Sequence, residues 1–135
     1  MNKDNDIYSI IVVDDEPSVR NLMSACCRTG AQERNPVVIA YENGAAAWEY
    51  IRALKKAPNL LVTDYVMPRM NGKKLIINSR KKFPNLDVIL VSGGTDGEGT
   101  PQEIADKLNV EFMPKPLSSV GALVDLVRKY AAKEE

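Results

Sequence analysis

Apolar side chains in this chain gather into short, nearly unbroken blocks. "YSIIVVDD" (8–15), "PVVIA" (36–40), "NLLVTD" (59–64), "LDVILVS" (86–92) and "VEFMP" (110–114) read as five short strands, mostly continuous apolar runs of the type buried on both faces. Between the blocks the apolar positions recur every three or four residues, as on one face of a helix. Pro17 suits a first helical turn, Val19, Leu22, Met23 and Cys26 share one stripe, and Gly30 is a natural stop. "NGAAAWEYIRAL" begins with Asn43 as a cap, and "NGKKLIINSRKKFP" closes before Pro84. "TPQEIADKL" carries Thr100, Pro101 and Glu103 in the spacing of a capping box. In "LSSVGALVDLVRKYAAKEE" Val120, Leu123, Val124 and Val127 line one stripe, with Arg128 and Lys129 near the negative end of the helix dipole.

Strand and helix therefore alternate five times. That order predicts a (βα)5 α/β fold, a parallel sheet covered on both faces through right-handed crossovers. The expected architecture is a three-layer αβα sandwich, doubly wound in the flavodoxin-like strand order 2-1-3-4-5. No repeat or low-complexity segment interrupts it, and the glycine-rich "SGGTDGEGT" (92–100) is the expected mobile loop.

Composition narrows the function. With 135 residues and 44% hydrophobic content the chain has enough material for one core, so a single domain over 1–135 is expected. Eighteen basic residues balance eighteen acidic ones, which leaves no overall field to draw nucleic acid or an anionic membrane. Apolar runs of about five residues fall short of a bilayer span, and "MNKDND" is unlike a signal peptide, so a soluble cytoplasmic location is expected. Cys26 and Cys27 are adjacent, a spacing that suits neither an ordinary disulfide nor a metal site, and they read as reduced thiols. The chain contains no histidine. The usual neutral-pH base and the commonest metal ligand are thus missing, and chemistry must come from carboxylates, hydroxyls and lysine.

In a doubly wound sheet the ligand crevice lies beyond the carboxyl ends of the strands, beside strands 1 and 3. Asp14 and Asp15 end the first strand and Asp64 ends the third, so the fold would bring all three to one rim. Two carboxylates about 4 Å apart repel by about 4 kcal/mol at an effective dielectric of 20, and a bound cation removes that cost. Oxygen donors without His or Cys select a hard ion, and few carboxylates with room for water suit Mg²⁺ better than Ca²⁺. The plainer reading of Asp14 and Asp15 is that they cap the following helix. Ser92 ends the fourth strand and Lys115 follows the fifth in "MPKP". Taken singly, Ser92 is an ordinary turn former and Lys115 a solvated surface charge. On a common rim with the acids they supply a hydroxyl donor and a compact cation, and the set is suited to receiving a phosphoryl group on Asp64.

At this point "DDE" after the first strand, "DYVMPRMNG" after the third, "SG" after the fourth and "KP" after the fifth resemble the receiver domain of two-component response regulators, over about residues 7–130. The resemblance implies that Asp64 is the phosphoacceptor. It implies that Asp14 and Asp15 hold Mg²⁺ with help from Asp64 and the backbone carbonyl of Val66, and that Ser92 and Lys115 bind phosphoryl oxygens. Phe112 falls at the family's switch aromatic, and Lys115–Pro116 at its usual cis bond. Pro68 and Gly72 would bend the chain after Asp64 and let the next helix start close by.

By the same likeness the donor is a phosphohistidine on a sensor histidine kinase or phosphotransfer protein, since this chain has none of its own. Moving a two-state element from mostly off to mostly on takes about 5.5 kcal/mol of differential interaction, which several charge-assisted hydrogen bonds can supply. The implied output is a protein target on the surface of helix 4, strand 5 and helix 5, and the resemblance also allows a phosphorylation-dependent homodimer. Nothing points to direct contact with nucleic acid or membrane. A stand-alone receiver and one cut from a larger regulator or hybrid kinase read alike. Val66 and Gly94, two residues after Asp64 and Ser92, bear no polar group to orient water, which predicts a long-lived phosphoryl group. Two other readings stay open. A Mg²⁺-dependent aspartyl-phosphate phosphatase would share the chemistry but normally has a second acid where Val66 stands. A flavin-binding module would need a polar phosphate loop where "DDEPS" places acids.

Overall fold

A computed structural model describes residues 6–117 and 119–133. Five strands, β1 (Tyr8–Val13), β2 (Pro36–Tyr41), β3 (Leu60–Thr63), β4 (Asp87–Ser92) and β5 (Glu111–Pro114), form one parallel sheet in the order β2-β1-β3-β4-β5. Five helices connect and flank them: α1 (Pro17–Gly30), α2 (Gly44–Arg52), α3 (Gly72–Lys82), α4 (Pro101–Leu108) and α5 (Val120–Ala131). The expected doubly wound α/β architecture is the one observed. A 3-10 turn over Gln32–Arg34, ending on left-handed Asn35 at φ 55°, was not foreseen. Among the described residues no helix is long and apolar enough to cross a membrane.

The unbroken apolar runs of β1, β3 and β4 are explained by two cores, whereas the edge strands β2 and β5 are only partly buried. Alternate β1 residues point to opposite faces. Ile10 and Val12 join Leu60, Val62, Ile89 and Val91 against α1 and α5, where Met23, Cys26, Leu123 and Val127 are buried. Ile11 and Val13 join Leu61, Val88 and Leu90 against α2, α3 and α4, where Ile51, Leu75, Ile76 and Ile104 are buried. Trp48 packs half-buried on this second core. Tyr130 and Leu126 of α5 are half-buried against the first core.

Helix starts follow local chemistry. Asn43 accepts from the Ala46 N–H at 2.8 Å and Asn71 from the Lys74 N–H at 2.9 Å. Thr100 and Glu103 complete the predicted capping box, worth about 1 kcal/mol for such a cap. Helix α1 starts differently. Its N-cap is Glu16, which makes no side-chain cap bond, so neither Asp14 nor Asp15 serves as the cap of that helix. Asp14 Oδ1 instead accepts from the Glu16 N–H at 2.9 Å, just before the helix. Helix α5 begins at Val120, three residues later than the pattern from Leu117 suggested.

Strand register fixes the rim. The β3–β4 ladder ends at Thr63–Leu90, while β4 and β5 stay paired as far as Ser92–Pro114. One further backbone bond, Lys115 N–H to the Ser92 carbonyl at 3.1 Å, continues that second pairing.

Candidate functional site

Strand ends deliver the acids together. The Asp64 N–H bonds the Val13 carbonyl at 3.0 Å, so the first residue beyond β3 is tied to the last of β1, immediately before Asp14. Carboxylate oxygens of Asp14, Asp15 and Asp64 all lie within 4.8 Å of one another. Asp14 is fully buried, Asp64 is 7% exposed and Asp15 is exposed. Lys115 reaches between the first two: its Nζ donates to Asp14 Oδ2 at 2.6 Å and to Asp64 Oδ2 at 3.1 Å. It is therefore a partner of the carboxylates and not the freely solvated charge that a lone surface lysine would be. The Lys115–Pro116 peptide bond is cis.

The chain after Asp64 turns as "VMPRMNG" suggested, and more sharply. The Met70 N–H bonds the Pro68 carbonyl at 2.9 Å across Arg69, whose φ of 76° is a conformation that costs a non-glycine residue about 1–3 kcal/mol. The Gly72 N–H then returns to the Tyr65 carbonyl at 2.7 Å. A Cβ on Gly72 would sit 2.1 Å from the Asp64 carbonyl oxygen, so only glycine lets α3 begin this close to the acid. Val66 stands on the outside of the turn, 50% exposed.

The remaining residues are near the rim with their hydrogen bonds made locally. Ser92 is 1% exposed, and its hydroxyl donates to the Gly94 carbonyl at 2.7 Å. That is the turn-former geometry, and no hydrogen bond joins Ser92 to Asp64 or Lys115 through its side chain. Phe112 is half-buried on β5, level with Leu90, against the second core. The glycine-rich loop is tied to its surroundings: Asp96 accepts from Tyr65 and Asn71, and Glu98 from Tyr65 and Lys73.

Burial raises the Asp64 carboxyl above the usual range, and the charge of Asp14 adds to this. The Lys115 ammonium and the Tyr65 N–H, donated to Asp64 Oδ1 at 2.7 Å, offset only part of it. Burial works against the Lys115 ammonium, but bonds to Asp14 and Asp64 outweigh it and hold its pKa above the ordinary lysine value. The all-oxygen donor set of three carboxylates fits a hard cation, with Lys115 as the counterion that such a cation would partly displace.

Two contributors escaped the sequence reading. Arg20 Nη1 donates to the Asp14 carbonyl at 2.8 Å, which fixes the chain between β1 and α1. Tyr65 holds Asp64 through its N–H. No spacing in the sequence marks either one, because Arg20 looks like any exposed helical arginine and Tyr65 like a core aromatic.

The five-stranded parallel sheet, with acids, a hydroxyl and a lysine at the carboxyl ends of its strands, is the flavodoxin-like α/β fold of receiver domains. The chain belongs to the response regulator receiver domain family, whose model matches residues 10–128. It is similar to the two-component response regulator-like PRR73 of Oryza sativa subsp. indica, 34% identical over 110 residues, or 80% of this chain and 14% of that protein. It is also similar to protein-glutamate methylesterase/protein-glutamine glutaminase 2 of Vibrio vulnificus (strain YJ016), 34% identical over 119 residues, or 87% of this chain and 32% of that protein. The chain thus spans less than a third of the length of either relative. The crystal structure of a response regulator receiver protein from Pseudomonas putida superimposes with a TM-score of 0.73 at 28% identity, covering 92% of this chain and 98% of that one.

Proposed function

We propose that the chain is a single receiver domain that accepts a phosphoryl group on Asp64 and switches conformation in response. The observation that carries this reading is the Asp64 carboxylate itself: nearly buried, one oxygen fixed by the Tyr65 N–H, the other facing Lys115, with Asp14 and Asp15 within 4.8 Å. A carboxylate oxygen of Asp64 attacks the phosphorus of a phosphohistidine on a sensor histidine kinase or phosphotransfer protein. The P–N bond breaks, the histidine nitrogen takes its electron pair and then a proton from solvent, and an acyl phosphate is left on Asp64. Hydrolysis reverses the state when water attacks the same phosphorus and inorganic phosphate leaves.

Asp14, Asp15, Asp64 and the Val66 carbonyl would hold Mg²⁺, which when bound supplies the positive charge that lets an anionic donor approach three acids. Lys115, already shared between two carboxylates, is placed to follow the new dianion, and Ser92 can offer its hydroxyl once it leaves Gly94. Phe112, beside β4 and half-buried, is the ring that would turn inward as Ser92 moves.

The readout is a protein partner, or a second copy after phosphorylation, on the face of α4, β5 and α5. A hollow of about 280 Å³ lined by Gln102, Asp106, Phe112 and Tyr130 lies there. The balanced charge gives no support to a nucleic-acid or membrane partner, and the reading places the domain in the cytoplasm. The phosphatase alternative lacks its second acid, because Val66 occupies that position.

The test is intact mass after incubation with acetyl phosphate and Mg²⁺. One phosphoryl group on wild type, none on Asp64→Asn and none in EDTA is the expected result. A folded wild type that gains nothing from acetyl phosphate or from a phosphohistidine donor refutes the reading.

A further inference from the structure

Tyr65 links the acid to a distant loop. Its N–H donates to Asp64 Oδ1, and its ring is fully buried in the second core. The hydroxyl at the far end emerges under the loop between β4 and α4, where it donates to Asp96 Oδ1 at 3.0 Å and lies 3.4 Å from Glu98 Oε1. The start of α3 secures the same two acids: Asn71 Nδ2 donates to Asp96 Oδ2 at 3.0 Å, and Lys73 Nζ to Glu98 Oε1 at 2.8 Å. The loop also closes on itself. Thr95 Oγ1 donates to the Gly99 carbonyl at 2.5 Å, and Gly97 and Gly99 take φ values of 105° and 128° that side chains rarely allow.

These bonds differ in weight. The Lys73–Glu98 pair is exposed on both sides and contributes little. The phenol of Tyr65 is anchored by a buried ring, and its bond to Asp96 is charge-assisted. Losing that bond leaves the Tyr65 hydroxyl only the longer contact to Glu98 Oε1 at 3.4 Å.

Ser92 has one hydroxyl proton, now donated to the Gly94 carbonyl. To donate that proton to a phosphoryl oxygen, Ser92 must release Gly94, which stands two residues before Asp96. Ser92 is thus bonded to the same segment that Tyr65 and α3 hold.

We propose that Tyr65 and Asp96 form a latch that holds the β4–α4 loop in its resting arrangement, making Tyr65 a positioning residue that sets how readily Ser92 turns to a phosphoryl group on Asp64. The latch rests on the reading of Asp64 as phosphoacceptor.

Beryllofluoride with Mg²⁺ serves as the phosphoryl mimic, titrated by calorimetry into wild type, Tyr65→Phe and Asp96→Ala, and into the same three proteins carrying Ser92→Ala. Tyr65→Phe keeps the buried ring, and Asp96 is an exposed loop residue, so both variants retain the core. Each should bind the mimic about 3- to 10-fold more tightly than wild type, the weight of one hydrogen bond. The gain should vanish when Ser92 is alanine, which a merely structural effect would not do. Wild-type binding with unchanged or weaker affinity in the variants overturns the latch alone, as does a gain that survives without Ser92. A folded wild type that binds no beryllofluoride overturns the phosphoacceptor reading, and the latch with it.

Discussion

Replacing Lys115 with alanine removes the one cation that stands between two buried acids. At an effective dielectric of 20, unit charges 2.6 and 3.1 Å apart attract by about 6 and 5 kcal/mol, while acids within 4.8 Å of one another repel by at least about 3 kcal/mol. Desolvation of the ammonium consumes much of this gain, and removing one member of a buried ionic set costs about 3–5 kcal/mol net. Urea denaturation of Lys115→Ala in EDTA at pH 7 should therefore show a loss in that range, visible as a lower midpoint at constant slope. Mg²⁺ should restore a large part of it, since saturation to one hundred times Kd contributes about 2.7 kcal/mol, and wild type should gain less because its ammonium must first give way. Acidity gives a second check. The folded-state pKa of Asp64 is already raised by burial, so its contribution to stability is present below the ordinary carboxylate pKa and is lost as pH rises through the raised value. Without the opposing ammonium that penalty grows, and the deficit of Lys115→Ala should shrink as pH is lowered from 7 toward 5. A loss under about 1 kcal/mol, or equal Mg²⁺ effects in the two proteins, would refute the view of Lys115 as counterion to a cation site.

Further outcomes follow from the rim and the core. A phosphoryl group on Asp64 should persist for minutes or longer, because Val66 is apolar and half exposed and Gly94 has no side chain, so neither orients water; Val66→Glu should shorten the lifetime in a phosphate-release assay, and a wild-type half-life of seconds contradicts this. Neither Cys26 nor Cys27 should alkylate in the native protein at pH 8, since burial raises both thiols, Cys27 to about 12, and only unfolding should expose them to iodoacetamide.

Much of the fold could be read from the order of residues because a parallel sheet covered on both sides leaves a plain mark. Runs such as "IIVV" and "LLVT" have no polar face to offer, so strand positions, the two helical layers and the convergence of Asp14, Asp15 and Asp64 followed together. Gly72 was legible too, because a helix that starts beside a strand end needs a residue without a Cβ. Contacts across long stretches of chain were not. Tyr65 reads as one more core aromatic, and only the folded chain brings its hydroxyl to Asp96, thirty-one residues away. In the 92–100 loop composition did not reveal the bonds to Tyr65, Asn71 and Lys73, nor the positive φ that Gly97 and Gly99 supply. The strained Arg69 likewise carries no signature, because its geometry is imposed by Pro68 before it and the return to Tyr65 after it.

The rungs of the sheet divide the rim into two halves. Val13 and Asp64 are joined by a backbone bond, and so are Ser92 and Lys115, whereas the β3–β4 ladder between the halves stops at Thr63–Leu90. The acids thus ride on one plate and the two donors on another, with a seam between them above the last shared rung. The backbone bond between Ser92 and Lys115 couples those two strand ends, so a displacement of one is carried to the other. Across that seam the link is made by a side chain, Lys115, through its bonds to Asp14 and Asp64.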